Sequence, residues 1–458
     1  MTSSTLSTPA SAKAAARAAM LSGPILATLA RLATPTIAVL VAQTAVGVVE
    51  TYYVSRLGKD ALVGVSVVFP VWMLMTMMSA GGIGGGVSSA VARAIGGGRD
   101  TDADDLAVHA VILAVIAGAI FSVLAWLFGP ILYAALGTTG GALAQALRYS
   151  DWLFLCAVPI WVVNLCSAAL RGAGDVRTPA RVSLAGIVVL VPLSPVLIFG
   201  VGPHEGLGIA GAGIAVTVFY SGAALFLLRL LRSGRGSLTL SRRPLRRELF
   251  GQILGVGLIS SLSVIQLNLA VVLVTGAVGR FGSDALAGYG VGARLEYLLV
   301  PVLFGLGSAV LMMVGTCLGA GDVRRARSVA VAGILIGAAF ASVIGAVVFV
   351  EPGVWLRLFT DDPGAIEAGA IYLRAMAFAY PALAVAFVLA FVSQGGGRPG
   401  WTTFAGTARL AIAGGAGWLA VEAGVEMTGL SIVVAAGQFV AAGVCAWAFM
   451  TRRLFSIR

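Results

Sequence analysis

Long uncharged apolar runs, bounded by charged residues or by Gly/Pro clusters, follow one another along almost the whole chain. Twelve of them are centred near residues 43, 74, 117, 160, 190, 219, 263, 302, 339, 382, 411 and 440. A helix that crosses bilayer hydrocarbon needs about 20 mostly apolar residues. The pattern therefore predicts an all-α polytopic membrane protein with twelve transmembrane helices. An even number of spans puts both termini on one side. Arg and Lys fall mainly in the first residues (Lys13, Arg17), in the even-numbered connections and after the last run (Arg452, Arg453, Arg458). The connections after the ninth and eleventh runs instead carry Glu351, Asp361, Asp362, Glu367, Glu422 and Glu426. Excess Lys/Arg marks cytoplasmic segments, so both termini and the even connections are expected there. Met1–Met20 is Ser/Thr/Ala-rich and the run after it is broken by Arg31, which reads as a retained cytoplasmic tail rather than a cleaved signal.

Composition sharpens this reading. Apolar residues make up 59% of the 458 and charged ones 11%, with a mean hydropathy of +1.00. An ordinary globular domain is about 25% charged. About 270 apolar residues supply roughly 12 or 13 spans, and secreted, disordered and nucleic-acid-binding classes drop out. The net charge of +11 then matters through its distribution and not as a sign of acidic partners. Cys156, Cys166, Cys317 and Cys445 all lie in apolar runs without CxxC spacing, so neither disulfides nor thiolate metal sites are expected.

The connection after the sixth run carries Arg232, Arg235, Arg242, Arg243, Arg246 and Arg247. It reads as a topogenic tether between two halves, with anionic-lipid contact as the functional alternative. The halves themselves repeat. Leu57-Gly58-Lys59-Asp60-Ala61-Leu62-Val63-Gly64 recurs as Phe281-Gly282-Ser283-Asp284-Ala285-Leu286-Ala287-Gly288, at an offset of 224. At an offset of 223, Val91/Val314, Gly96/Gly319, Gly98/Gly321, Tyr149/Tyr372, Gly172/Gly395 and Gly174/Gly397 also match. Six spans separate the copies, so both enter the membrane in the same direction. The expected organisation is a cytoplasmic tail (1–30), a six-helix lobe (31–231), a basic cytoplasmic linker (232–247), a second parallel six-helix lobe (248–451) and a tail (452–458). Transporter sites commonly lie at such repeat interfaces near the midplane.

Four further segments stand out: Pro35 through Glu50-Thr51-Tyr52-Tyr53-Val54-Ser55-Arg56-Leu57-Gly58, Ala92-Arg93-Ala94-Ile95-Gly96-Gly97-Gly98, Leu170-Arg171-Gly172-Ala173-Gly174-Asp175-Val176-Arg177-Thr178-Pro179 and Gly208-Ile209-Ala210-Gly211-Ala212-Gly213. Through them the chain, from about Leu32 to Met450, resembles the multidrug and toxic compound extrusion (MATE) family, within the multidrug/oligosaccharidyl-lipid/polysaccharide flippase superfamily. The resemblance implies a twelve-helix, two-lobed antiporter that exports organic cations against inward H⁺ or Na⁺. The glycines also have a bland reading: small residues such as Gly81, Gly82, Gly84, Gly85 and Gly86 let helices approach closely.

A charge inside hydrocarbon is costly, so acids within spans are functional candidates. Sorting the 19 acids by location leaves Glu50 in the first span, with Glu296 early in the eighth as a weaker case. The family position resembling Glu50 is normally Asp, one methylene shorter. Gln43 lies seven residues earlier on the same helical face, and Asn164 is similar to another polar family position. Archaeal and DinF-like members place Asn and then Asp-Pro in the fifth span, where this chain has Leu190 and Ser194-Pro195. The acids that other branches carry in spans seven and ten are missing; Gln266 and Asn268 are the nearest polar groups in span seven. A dehydrated Na⁺ wants several oxygen ligands, which favours H⁺ as the coupling ion, with Na⁺ as the alternative. The candidate ion-coupling residue is Glu50, against a structural alternative in which it snorkels or pairs with Arg56. Candidate cavity residues are Gln43, Asn164, Trp72, Met75, Gln266, Asn268 and Glu296. For Gln43 and Asn164 interhelical hydrogen bonding is an equal alternative, and the Met73, Met75, Met77 and Met78 cluster near Trp72 also fits plain packing. Arg294 reads as a structural partner of other groups, Arg409 as a side chain that snorkels to the cytoplasm, and His109 and His204 as residues without a role.

The expected function is export of organic cations or drugs in exchange for protons, by alternating access in a bacterial inner membrane. The expected partners are a small amphiphilic or cationic substrate and membrane lipid, with no nucleic acid, no cofactor and a monomeric chain. A lipid-linked precursor flippase of the same superfamily is the rival, though it usually carries fourteen spans and a cationic cavity. Gly97-Gly98-Arg99-Asp100 does not fit the charged signature of a major-facilitator transporter. Two His and no HExxH leave nothing for a membrane-embedded enzyme.

Overall fold

The computed structural model describes residues 9–201, 204–240 and 243–455. After α1 (Pro9–Ser22) come α2 (Ile25–Ser55), then α3 (Lys59–Met77) and α4 (Gly84–Gly96) joined by a π-helical turn, Met78–Ile83, and then α5 (Asp100–Ala135). Helices α6 (Gly140–Leu155) and α7 (Ala157–Gly172) form one span bent by 46°. Helix α8 (Arg177–Phe199) follows; the two-residue strands β1 (Gly200–Val201) and β2 (His204–Glu205) form an antiparallel ribbon before α9 (Ile209–Arg232). The chain continues through α10 (Arg247–Gly279), α11 (Ser283–Gly319), α12 (Val323–Val350), the short α13 (Gly353–Leu356) and α14 (Pro363–Gly395). Helices α15 (Gly400–Arg409) and α16 (Gly417–Glu422) share a span through a second π-helical turn, Leu410–Ala416, and α17 (Met427–Met450) closes the fold. Eleven described helices are long and apolar enough to cross a membrane, and the bent α6–α7 pair makes twelve. Each of the twelve predicted centres falls in one of these spans. Asp322 caps α12 by accepting the Arg325 N–H at 2.8 Å, and Asp362 caps α14 ahead of Pro363.

The repeat is conformational as well as textual. Gly58 and Gly282, matched at the 224 offset, both sit at φ +105° ahead of a helix, a region closed to most side chains. Gly98/Gly321 and Gly174/Gly397 pair in the same way.

The chain divides into two compact units: Met1–Ala18 with Ala38–Gly257, and Ala19–Ile37 with Leu258–Arg458. The boundaries differ from the expected 31 and 248 because packing, and not span order, sets them. Residues 19–37 join the second unit: Arg325 donates to the Met20 carbonyl at 2.9 Å, and a Cβ on Gly305 would meet the Ile37 nitrogen at 3.2 Å. The core of the first unit runs through Val87, Ile95, Leu106, Phe154, Trp161 and Leu227. Its helices touch backbone to backbone: a Cβ on Gly118 would lie 2.5 Å from Val158 Cα, and one on Gly172 would lie 2.6 Å from the Ser88 carbonyl oxygen. The core of the second unit gathers Leu299, Leu303, Leu373, Met376, Tyr380 and Leu430.

The basic linker is held by acids of the first unit. Arg246 bridges Asp102 at 2.6 Å and Asp105 at 3.0 Å, and Arg243 reaches Asp105 at 3.6 Å. The Asp102 hydrogen bond, with help from Asp105, pushes the Arg246 guanidinium pKa upward. Asp104 takes both Lys13 and the Thr239 N–H at 2.9 Å. His109 corrects the expectation that it has no role: its Nε2 accepts the Arg246 backbone N–H at 2.9 Å while Nδ1 lies 2.7 Å from the Asp105 carbonyl. Arg242, Arg458 and the His204 side chain lie outside the described residues.

Candidate functional site

Glu50 lies five residues before the end of α2, and its half-buried carboxyl reaches α8. Ser194 Oγ, fully buried, donates to Glu50 Oε2 at 2.7 Å. Pro192 and Pro195 flank this serine inside α8, where ring insertion breaks the regular hydrogen-bond ladder. The other carboxyl oxygen, Oε1, is buried and has no hydrogen-bond partner. A buried carboxylate oxygen left bare is costly, and the cost disappears when a proton or a cation sits on it. The pairing of Glu50 with Arg56 is not formed: Arg56 turns to the Tyr52 hydroxyl and ring. Among the described residues Glu50 has no ion-pair partner. In the sequence Ser194 stands out only as a departure from Asp; that it is the Glu50 partner depends on a contact across 144 residues.

The other candidates of this unit separate. Gln43 is exposed on α2, seven residues before Glu50. Asn164 on α7 donates to Ser79 Oγ at 2.7 Å, and Ser79 in turn donates to the Thr76 carbonyl. That is the interhelical bond of the structural alternative, and it fastens α7 to the first π-helical turn. Trp72 meets the Tyr220 ring edge-on at 6.1 Å. Met75 is fully buried in the apolar core and offers no open face, which corrects its expected place on a cavity wall.

In the second unit, Gln266 on α10 donates to Thr407 Oγ1 at 2.8 Å, next to a Ser263–Thr403 hydroxyl contact of 2.8 Å. Its carbonyl oxygen Oε1 is buried without a partner. Asn268, half-buried, donates to the Val264 carbonyl of its own helix at 2.9 Å. Glu296 on α11 accepts the Tyr372 hydroxyl at 2.7 Å. Tyr289 packs edge-on against the Tyr372 ring at 4.9 Å, and the buried Tyr380 hydroxyl, with no hydrogen-bond partner, feels the Glu296 charge. Arg409, expected to snorkel, instead points Nη1 at Gln438 Oε1 on α17, 3.5 Å away, and attracts Glu296 electrostatically. Arg294 lies over the Phe359 ring at 5.7 Å and not beside Glu296. Among the described residues no cluster of His, Cys, Asp and Glu could hold a metal ion.

Comparison with known proteins agrees with this architecture. A probable multidrug resistance protein NorM from Burkholderia mallei is 30% identical over 356 residues, 73% of this chain and 72% of its own. An FAD transporter from Shewanella oneidensis is 27% identical over 396 residues, 84% of this chain and 85% of its own. A solved structure of a MOP-superfamily transporter from Pyrococcus furiosus superimposes with a TM-score of 0.87 at 25% identity, covering 95% of this chain and 97% of that one. The MatE family model matches residues 35–196 and 260–414, one stretch in each half of the repeat. With two-thirds of its length matched in this way, the chain is an integral membrane transporter of the MatE family.

Proposed function

We propose that the protein is a secondary active antiporter that exports organic cations or drugs in exchange for protons, with Glu50 as the exchange point. The observation that carries this reading is the carboxyl itself: one oxygen held by Ser194, the other buried and bare, and, among the described residues, no arginine to neutralise it. A carboxyl in that position holds either a proton or a cationic cargo. Binding one reduces affinity for the other, and a proton arriving from outside releases cargo there by alternating access. Protons are favoured over Na⁺ because one carboxylate and one hydroxyl are a sparse oxygen set for a dehydrated cation. The charge bias of the connections supports termini in the cytoplasm of a bacterial inner membrane.

The test is dye efflux from proteoliposomes under an imposed proton gradient and, separately, a sodium gradient, with wild type, Glu50→Asp and Glu50→Gln. Export driven by the proton gradient, reduced in the Asp variant and abolished in the Gln variant, is the expected result. Undiminished proton-driven export by Glu50→Gln would refute the reading, and export driven only by sodium would replace the coupling ion. The Shewanella oneidensis relative favours a second reading of the cargo, since flavin adenine dinucleotide carries phosphates as well as an apolar ring system.

A further inference from the structure

Arg409 sits at the last residue of α15, nine residues after Gly400. At 1.5 Å per residue that is about 14 Å along the span, close to half of the roughly 30 Å hydrocarbon thickness. A guanidinium at that depth needs compensation, and what it receives is incomplete. Gln438 Oε1 lies 3.5 Å from Nη1, too far for a strong hydrogen bond. Among the described residues no carboxylate comes within ion-pair distance of it. Arg409 and Glu296 attract each other at longer range, while Glu296 is tied at 2.7 Å to Tyr372. The arginine stem is fixed: a Cβ added to Gly437 would lie 3.4 Å from Arg409 Cγ and from its carbonyl oxygen, so α15 and α17 pack closely around it. The π-helical turn Leu410–Ala416 begins at the next residue, and such turns recur at functional sites. Arg409 is half-buried and none of its nitrogens is both buried and unpartnered, so of the five N–H donors in its planar fork those beyond the one long contact to Gln438 are turned to accessible space.

We infer that Arg409 anchors a negatively charged group on the transported molecule, a carboxylate or a phosphate beside an apolar body, with the Glu296 carboxylate, held away by Tyr372, as a longer-range competitor for the same guanidinium. The inference rests on the transport reading above and deepens it by naming a cargo class. Two variants of opposite sign follow. Removing the guanidinium removes the anchor, while removing the Glu296 charge removes its competitor.

The experiment uses rhodamine B, which carries a free carboxylate, and its ethyl ester, in which an ethyl group replaces that charge. Equilibrium binding of each dye to purified wild type, Arg409→Gln, Arg409→Lys and Glu296→Gln is read by fluorescence polarisation. Export in proteoliposomes is measured alongside. The expected result is that Arg409→Gln weakens the carboxylate dye roughly tenfold or more and leaves the ester within about twofold, since truncating one partner of a desolvated charge pair costs at least that much. Arg409→Lys restores part of the preference, and Glu296→Gln strengthens the carboxylate dye alone. Equal shifts for both dyes, no shift for either, or wild type that binds neither would overturn the inference. If Arg409→Gln does not fold, the sign of the Glu296→Gln effect decides in its place. Anionic lipid is the other source of this chemistry: repeating the binding with added phosphatidylglycerol should leave it unchanged, and lipid that displaces the carboxylate dye only when Arg409 is present would reassign the site to a headgroup. Loss of proton-driven ester export with the carboxylate preference intact would sink the antiport reading and spare this one.

Discussion

Glu50 in the first half of the chain and Glu296 in the second are treated differently. Glu50 in the first unit receives a single hydroxyl donor, and its second oxygen is bare. Glu296 in the second unit receives a tyrosine hydroxyl and the attraction of an arginine. The repeat does not explain them: an offset of 223 or 224 carries Glu50 onto Leu273 or Val274, and Glu296 back onto Met73 or Trp72. Backbone architecture was duplicated, whereas the charged chemistry was placed separately in each copy. An acid with an unsatisfied oxygen is suited to exchange a ligand, and one with a counter-ion is suited to tune its neighbour.

The contrast breaks most readily at Glu50. Glu50→Gln should lower proton-gradient-driven efflux about 50-fold or more, at the upper end of ordinary coupling free energies, while binding of uncharged dye persists. If Glu296→Gln, measured side by side, abolishes export to the same extent, the two acids are equivalent and the comparison fails. Next in size is Ser194→Ala. Among the described residues it removes the one hydrogen bond to the Glu50 carboxylate, a bond of the charged-acceptor kind, so the proton becomes harder to release. The pH of half-maximal exchange should move upward by about one unit, and a pH–rate profile that stays in place would detach Ser194 from the mechanism. Glu296→Gln should change proton-driven export of a cationic dye by less than about threefold, read in the same vesicles.

The smallest effects compare two interhelical amide bonds. Asn164–Ser79 and Gln266–Thr407 span 2.7 and 2.8 Å, but Gln266 leaves a buried carbonyl without a donor. Asn164→Leu should destabilise the protein by about 1 kcal/mol. Gln266→Leu should be nearly neutral, because it removes an unsatisfied acceptor together with the bond. Thermal unfolding in detergent separates them, and a larger loss for the Gln266 variant would mean that its free oxygen has a partner in the working protein.

The spans and the repeat were legible in the chain because each is a local property: an apolar run must cross, and matched glycines keep their φ in both copies. Glu50 was legible for a related reason, since a charge in hydrocarbon is conspicuous on energetic grounds alone. What surrounds each charge was not. Ser194 is separated from Glu50 by 144 residues, Tyr372 from Glu296 by 76, and Gln438 from Arg409 by 29. Met75 reads as a cavity residue in the sequence, and only packing places it in the core. The grouping of residues 19–37 with the second unit was equally hidden, because it depends on contacts with α11 and α12. Sequence alone determined which segments enter the membrane, through the cost of transferring their side chains. Only the tertiary structure decided which polar atoms are satisfied there and which are left open, because that depends on helices distant in the chain coming within hydrogen-bonding reach.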